Sequence, residues 1–211
     1  MHDLVIFDCD GVLVDSEFIS NQALADSLAR YGLHMTATEC ISIFMGLTTE
    51  DCAKKAQEMG VSLPIGWVDQ VEAETDDRLR AGVPVIAGVP KLLACLDAIG
   101  LPYCVASNGT PAKMKITLGQ NGLWDRFEPA MFSAYALGVA KPDPALFQAA
   151  AQHFGATNPV VIEDSLSGVT AAMRANMRCL AYAPHGGGEK LTDLGAELFT
   201  DMAELPRLLG I

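Results

Sequence analysis

No apolar run in this chain is long enough to cross a bilayer. Stretches such as Leu4–Phe7 and Val160–Ile162 are a few residues long, against about twenty for a spanning helix. The opening Met-His-Asp also lacks the basic patch and long apolar stretch of a secretory leader. A cytoplasmic enzyme without membrane attachment is therefore expected. Positive charge is scarce too: 14 Lys and Arg stand against 26 Asp and Glu, a formal charge of −12. Nucleic-acid binding depends on basic side chains displacing counterions, so nucleic acid is excluded as a partner. The same surface repels free phosphorylated metabolites, which would need a locally positive site such as a bound divalent cation provides. The six cysteines (Cys9, Cys40, Cys52, Cys95, Cys104, Cys179) contain no C-x-x-C pair. They match no zinc or redox spacing and read as reduced core thiols. Repeats and low-complexity segments are also missing, and nothing points to an obligate protein partner.

What is present is apolar material. Half of the 211 residues are hydrophobic and the mean hydropathy is +0.25, enough for one sizeable core or a core with a small second lobe. Leu4–Phe7 is a short run rich in β-formers, of the kind buried on both faces of a parallel sheet. Similar runs recur at Tyr103–Ala106, Val160–Ile162 and Cys179–Tyr182, with weaker ones at Met131-Phe132 and Leu198-Phe199. Helical stretches lie between them. Thr110-Pro111 and Asp143-Pro144 each set a cap residue before a first-turn proline. Gly155 and Asn176 mark helix ends. The alternation predicts an α/β fold, a doubly wound and mostly parallel Rossmann-like sheet.

Residues 15–82 break the alternation, offering helical signals and no convincing strand. One helix carries Phe18, Leu24, Leu28 and Tyr31 along one side and stops at Gly32. A second starts at a cap on Thr48, with Glu50 and Asp51 in its first turn, and closes at Gly60. A third runs from Trp67 to Arg80. The expected division is an α/β core of residues 1–14 and 83–211, with a helical cap over residues 15–82 able to hinge on two chain crossings.

Asp8 and Asp10 fall at the carboxyl end of the first strand, where open α/β sheets place ligands. Residues two apart share a side of an extended chain, so both carboxylates can face one site while Cys9 points away. Two such carboxylates repel unless a cation or shared proton intervenes, and hard oxygen ligands favour magnesium. Alone, the D-x-D-G could equally be a loop of solvated acids. The other strand ends add Ser107-Asn108-Gly109, Lys141-Pro142 and Glu163-Asp164, bringing a hydroxyl, an ammonium and two further carboxylates to the same edge.

The opening Phe7-Asp8-Cys9-Asp10-Gly11-Val12-Leu13-Val14-Asp15-Ser16-Glu17 resembles that of the haloacid dehalogenase superfamily. Ser107, Lys141 and Glu163-Asp164 match its second, third and fourth motifs in order, and the resemblance spans essentially the whole chain. It implies a phosphatase in which Asp8 attacks phosphorus to form an aspartyl-phosphate. Asp10 protonates the leaving alcohol and then activates water. It further implies Mg2+ held by a carboxylate oxygen of Asp8, the backbone carbonyl of Asp10 and the Asp164 carboxylate, with Glu163 ligating directly or through water. Ser107 and Lys141, helped by the backbone amides of Asn108 and Gly109, would bind the transferring phosphoryl group.

Within the superfamily, true dehalogenases lack the second aspartate, so Asp10 argues against dehalogenation. Mutases related to β-phosphoglucomutase carry a histidine in the first cap helix and basic residues around the cap turn. Here Ser20, Met45, Thr48 and Thr49 stand in that region, which favours hydrolysis over mutase action. The D-C-D-G-x-L-V-D-S-E, S-N-G and K-P-D-P-A-L segments look most like those of bacterial sugar-phosphate phosphatases. The expected substrate is a small phosphorylated metabolite, a sugar phosphate or sugar-acid phosphate. The turn at Gly46, with Met45, Leu47, Thr48 and Thr49, is expected to face the site and contact the leaving group. A non-catalytic metal- or phosphate-binding protein of the same fold would have lost Asp8 or Lys141, and neither is lost. Asp15 and Ser16 are expected to cap a helix, Lys54 and Lys55 to lie on a solvated helix face, and His185 to sit in a surface loop.

Overall fold

The computed structural model describes residues 2–184, 186 and 188–211; His185 lies outside them. Six strands, β1 (Leu4–Phe7), β2 (Tyr103–Ser107), β3 (Met131–Ser133), β4 (Pro159–Glu163), β5 (Arg178–Tyr182) and β6 (Glu197–Phe199), form one parallel sheet. Its order is β3-β2-β1-β4-β5-β6, the doubly wound α/β architecture predicted from the alternation. Every residue of β1 is fully buried. Val5 and Phe7 pack into one apolar cluster and Leu4 and Ile6 into another, which is why this strand is apolar throughout rather than alternating.

Four helices, α1 (Glu17–Ala29), α2 (Ala37–Phe44), α3 (Thr49–Glu58) and α4 (Trp67–Arg80), follow β1 before the chain returns to the sheet. They surround a separate cluster that includes Leu24, Leu28, Phe44, Trp67 and Val71. The Trp67 indole donates to Ser27 Oγ at 3.0 Å inside it. The sequence reading expected three helices here. The fourth, α2, is announced by Thr36 and Glu39, which close a reciprocal capping box. Phe18 also departs from expectation. It is 58 % exposed, because the buried stripe of α1 begins a turn later, at Asn21.

The remaining helices are α5 (Val89–Ile99), α6 (Pro111–Gln120), α7 (Trp124–Phe127), α8 (Ala134–Leu137), α9 (Ala145–Phe154), α10 (Leu166–Arg174), α11 (Glu189–Asp193) and α12 (Leu205–Leu209). Residues of α5, α6 and α12 cover the Val5–Phe7 face and residues of α9 and α10 the Leu4–Ile6 face. Thr110 caps α6 through Lys113 N–H. The helix expected from Pro144 begins one residue later, with Ala145 N–H donating to Asp143 Oδ1 at 2.9 Å. All six cysteines are free. Burial pushes the Cys40 and Cys52 thiols up to about 12, as expected of inert core cysteines. No helix of the described residues is long and apolar enough to cross a membrane.

Candidate active site

β1 lies between β2 and β4, so the chain leaves it in opposite directions at the carboxyl edge, where a crevice opens. Asp8 enters that crevice directly from the strand, its N–H still bonded to Ile162 O at 2.9 Å. Asp10, Ser107, Asn108, Gly109, Lys141 and Asp164 line the same cavity, and so do Gly46, Thr48 and Thr49 from the cap turn. Residues separated by more than 150 positions are thus brought to one place. Cys9 packs into the core on the opposite side.

Lys141 is the buried hinge of the charge arrangement. Its Nζ lies 2.6 Å from Asp8 Oδ1 and 2.6 Å from Glu163 Oε1. Burial opposes the ammonium, yet the two carboxylates outweigh it and raise its pKa. Glu163 is fully buried, and its other oxygen accepts from Asp164 N–H, Ser165 N–H and Ser165 Oγ at 2.9–3.0 Å. Both of its oxygens are therefore used by the protein, and it sits behind the cavity rather than on its wall. Gly168 makes this possible. A Cβ there would lie 1.8 Å from the Glu163 carboxylate. Gly168→Ala is expected to displace Glu163 and lower stability by about 1–3 kcal/mol in denaturant unfolding.

Asp8, Glu163 and Asp164 each place a carboxylate oxygen within 4.8 Å of the others. Burial, then the Glu163 charge, raises the Asp164 pKa well above the usual range. Burial likewise pushes Asp8 up to about 7, although Lys141 pulls it down. Three carboxylates faced by one ammonium leave an excess of buried negative charge, and the oxygens of Asp8 and Asp164 that face the cavity fit a hard divalent cation. Gly11 admits the third carboxylate. Its φ is +76°, and a Cβ there would stand 1.9 Å from Asp164 Oδ2.

Asp10 is not part of that cluster. Its carboxylate turns the other way, accepting from Ser16 Oγ on Oδ1 and pairing with Lys113 Nζ at 2.9 Å on Oδ2. This corrects the reading of Ser16 as a helix cap. The residue occupies the cap position of α1 but makes no side-chain cap bond, because its hydroxyl is committed to Asp10. Asp15 is exposed and holds the chain by its N–H on Pro84 O, at 2.9 Å. Lys113 escaped the sequence reading although a signal existed: a cation in the first turn of a helix opposes the dipole and calls for a nearby anion.

The turn at Gly46 is tied to the carboxyl edge of the sheet. Gly46 O accepts from Asn108 Nδ2 at 3.0 Å and from Ser167 Oγ at 2.7 Å. The Asn108 side chain also spans Lys141, taking its N–H at 2.9 Å and donating to its O at 3.2 Å. Asn108 thus works through its side chain, where a backbone role was expected. The Gly109 N–H is likewise occupied, donating to Ser107 Oγ at 2.9 Å. Thr48 Oγ1 caps α3. Tyr135 on α8 reaches Glu50 on α3 at 2.8 Å and Glu72 on α4 at 2.7 Å. Lys54 pairs with Asp51 and Lys55 donates to Ile43 O, both on a solvated face as expected. Glu17 lines the cavity beside Asn21, and burial pushes its carboxyl up to about 7.

Residues 5–182 match the family model of the haloacid dehalogenase-like hydrolases. The chain is 30% identical over 210 residues to the 6-phosphogluconate phosphatase of Escherichia coli K12, covering 98% of this chain and 94% of that protein. It is 28% identical to hexitol phosphatase B of the same organism, covering 95% and 92%. A haloacid dehalogenase family hydrolase from Deinococcus radiodurans R1, solved with bound phosphate and sodium, superimposes with a TM-score of 0.79 at 32% identity, covering 99% and 95%.

Proposed function

Because this chain belongs to the haloacid dehalogenase-like hydrolase family and is an enzyme of its phosphatase kind, we propose that it is a magnesium-dependent phosphatase acting on a small sugar phosphate or sugar-acid phosphate through Asp8. The observation that carries this reading is the buried contact of Lys141 with Asp8 at 2.6 Å, in a cavity that Ser107, Asp10 and Asp164 also line. The cavity of about 130 Å³ has room for about four waters at roughly 30 Å³ each, which suits a small metabolite. Relatives named for a phosphorylated sugar acid and for hexitols support the substrate class. The Deinococcus hydrolase's bound phosphate supports a phosphorylated substrate for a chain of this fold.

Asp8 Oδ attacks phosphorus, and the leaving oxygen takes a proton from Asp10, which then accepts one from the water that cleaves the aspartyl-phosphate. Ser107 Oγ and Lys141 Nζ hold the phosphoryl oxygens, so positioning and charge neutralisation supply most of the catalysis. Ser16 and Lys113 hold the Asp10 carboxylate in place. Asp8, Asp164 and the Asp10 carbonyl would hold Mg2+, which supplies positive charge against the phosphoryl oxygens. Residues 15–82 act as the cap that covers the leaving group. The cap turn, Met45 to Thr49, has no cation to retain a second phosphate, which supports hydrolysis over mutase action.

The test is phosphate release from p-nitrophenyl phosphate and a panel of phosphorylated metabolites. Chelation with EDTA is expected to lower turnover at least 100-fold, and added magnesium to restore it. Full turnover in metal-stripped protein would refute the metal-dependent reading.

A further inference from the structure

Resting on that reading, the wall of the cavity away from the phosphoryl site limits what the leaving group can be. Six carboxylates line the cavity, against the ammonium groups of Lys113 and Lys141. Both ammonium groups belong to the phosphoryl end of the cavity: Lys141 beside Asp8 and Glu163, and Lys113 beside Asp10. Asp8, Asp10 and Asp164 belong to the chemistry. The other three acids, Glu17 on α1 and Glu72 and Asp76 on α4, face the space that a leaving group would fill. No cap residue on that wall is basic.

These acids keep acceptor capacity in reserve. Glu17 receives one side-chain bond, from Asn21 at 3.0 Å, and Glu72 receives one, from Tyr135 at 2.7 Å. The cation closest to Asp76 is Arg80, at 3.8 Å, too long for a hydrogen bond. In the charged form none of these acids receives an anion well. All of them accept hydrogen bonds from hydroxyls.

We infer that the leaving group is an uncharged polyhydroxylated chain, bound by hydroxyl donation to Glu17, Glu72 and Asp76, and that esters carrying a second anion are selected against. An ester with a carboxylate at its far end would bring that charge against the acids of α1 and α4 with no cation to meet it, and discrimination of this kind works through repulsion as much as attraction. The reading thus favours the sugar or alditol phosphate over the sugar-acid phosphate.

The test compares glucitol 6-phosphate with gluconate 6-phosphate, which share a carbon chain and differ at one terminus. The intact enzyme with magnesium is expected to show at least a tenfold higher kcat/KM for glucitol 6-phosphate. Asp76→Asn and, separately, Glu17→Gln keep shape while removing charge, and each is expected to shrink that ratio at least threefold. A ratio below tenfold in the wild type, or a ratio that neither substitution moves, overturns the inference while leaving a working phosphatase. Absence of phosphate release from these esters and from p-nitrophenyl phosphate would overturn the phosphatase reading and this inference with it.

Discussion

Asp8→Asn is expected to reduce phosphate release by about 10⁴-fold or more, a loss of roughly 5 kcal/mol in transition-state stabilisation, with little change in fold. The amide keeps the shape of the carboxylate and still offers an oxygen to Lys141 Nζ, which lies 2.6 Å from Asp8 Oδ1. It cannot serve as the nucleophile that forms the acyl-phosphate. The buried charge arrangement survives in part, since Glu163 remains on the other side of Lys141. Thermal unfolding should therefore move little while turnover of p-nitrophenyl phosphate disappears. Retention of full turnover in Asp8→Asn would sink the mechanism, because no other carboxylate in the cavity stands at a strand end against a buried lysine.

The parts of this site that can be read from sequence are those fixed by the sheet. Asp8, Ser107 and Glu163 sit at the ends of apolar runs, and parallel strands deliver their carboxyl ends to one edge whatever the helices do. Asp164 follows by one residue. Lys141 lies in a loop, and motif order rather than periodicity picked it out. The parts not read are those set by side-chain reach across the fold. Tyr135 meets Glu50 and Glu72 across 85 and 63 positions, a relation no local pattern encodes. Asn108 was noted for its backbone, yet its side chain ties the Lys141 loop to the cap turn. Two misses had local signals. Lys113 stands in a helix turn where a cation is disfavoured without an anion, and the Thr36 and Glu39 pair spells a capping box. The position of Ser16 suits a cap in sequence, and only the geometry shows its hydroxyl turned to Asp10.

Lys141→Met separates what the lysine does for the fold from what it does for the reaction. The side chain is 2% exposed and lies between Asp8 and Glu163. Removing its charge leaves two buried carboxylates facing each other, and breaking a buried ion pair from one side costs about 3–5 kcal/mol. Activity should fall to background as well, since no other ammonium in the cavity is free to meet the phosphoryl oxygens. Loss of fold alone would give the same assay result, so a second substitution is needed. In Lys141→Met/Glu163→Gln the repulsion is removed. Glu163→Gln keeps an oxygen for the Asp164 and Ser165 N–H groups that Glu163 Oε2 now receives. The double variant is expected to recover more than half of the lost stability in urea unfolding, because neighbouring residues couple strongly. It should recover none of the turnover, since the charge that meets the phosphoryl group is still missing. If activity returned along with stability, Lys141 would be a structural cation only, and the phosphoryl oxygens would have to find their positive charge elsewhere in the cavity.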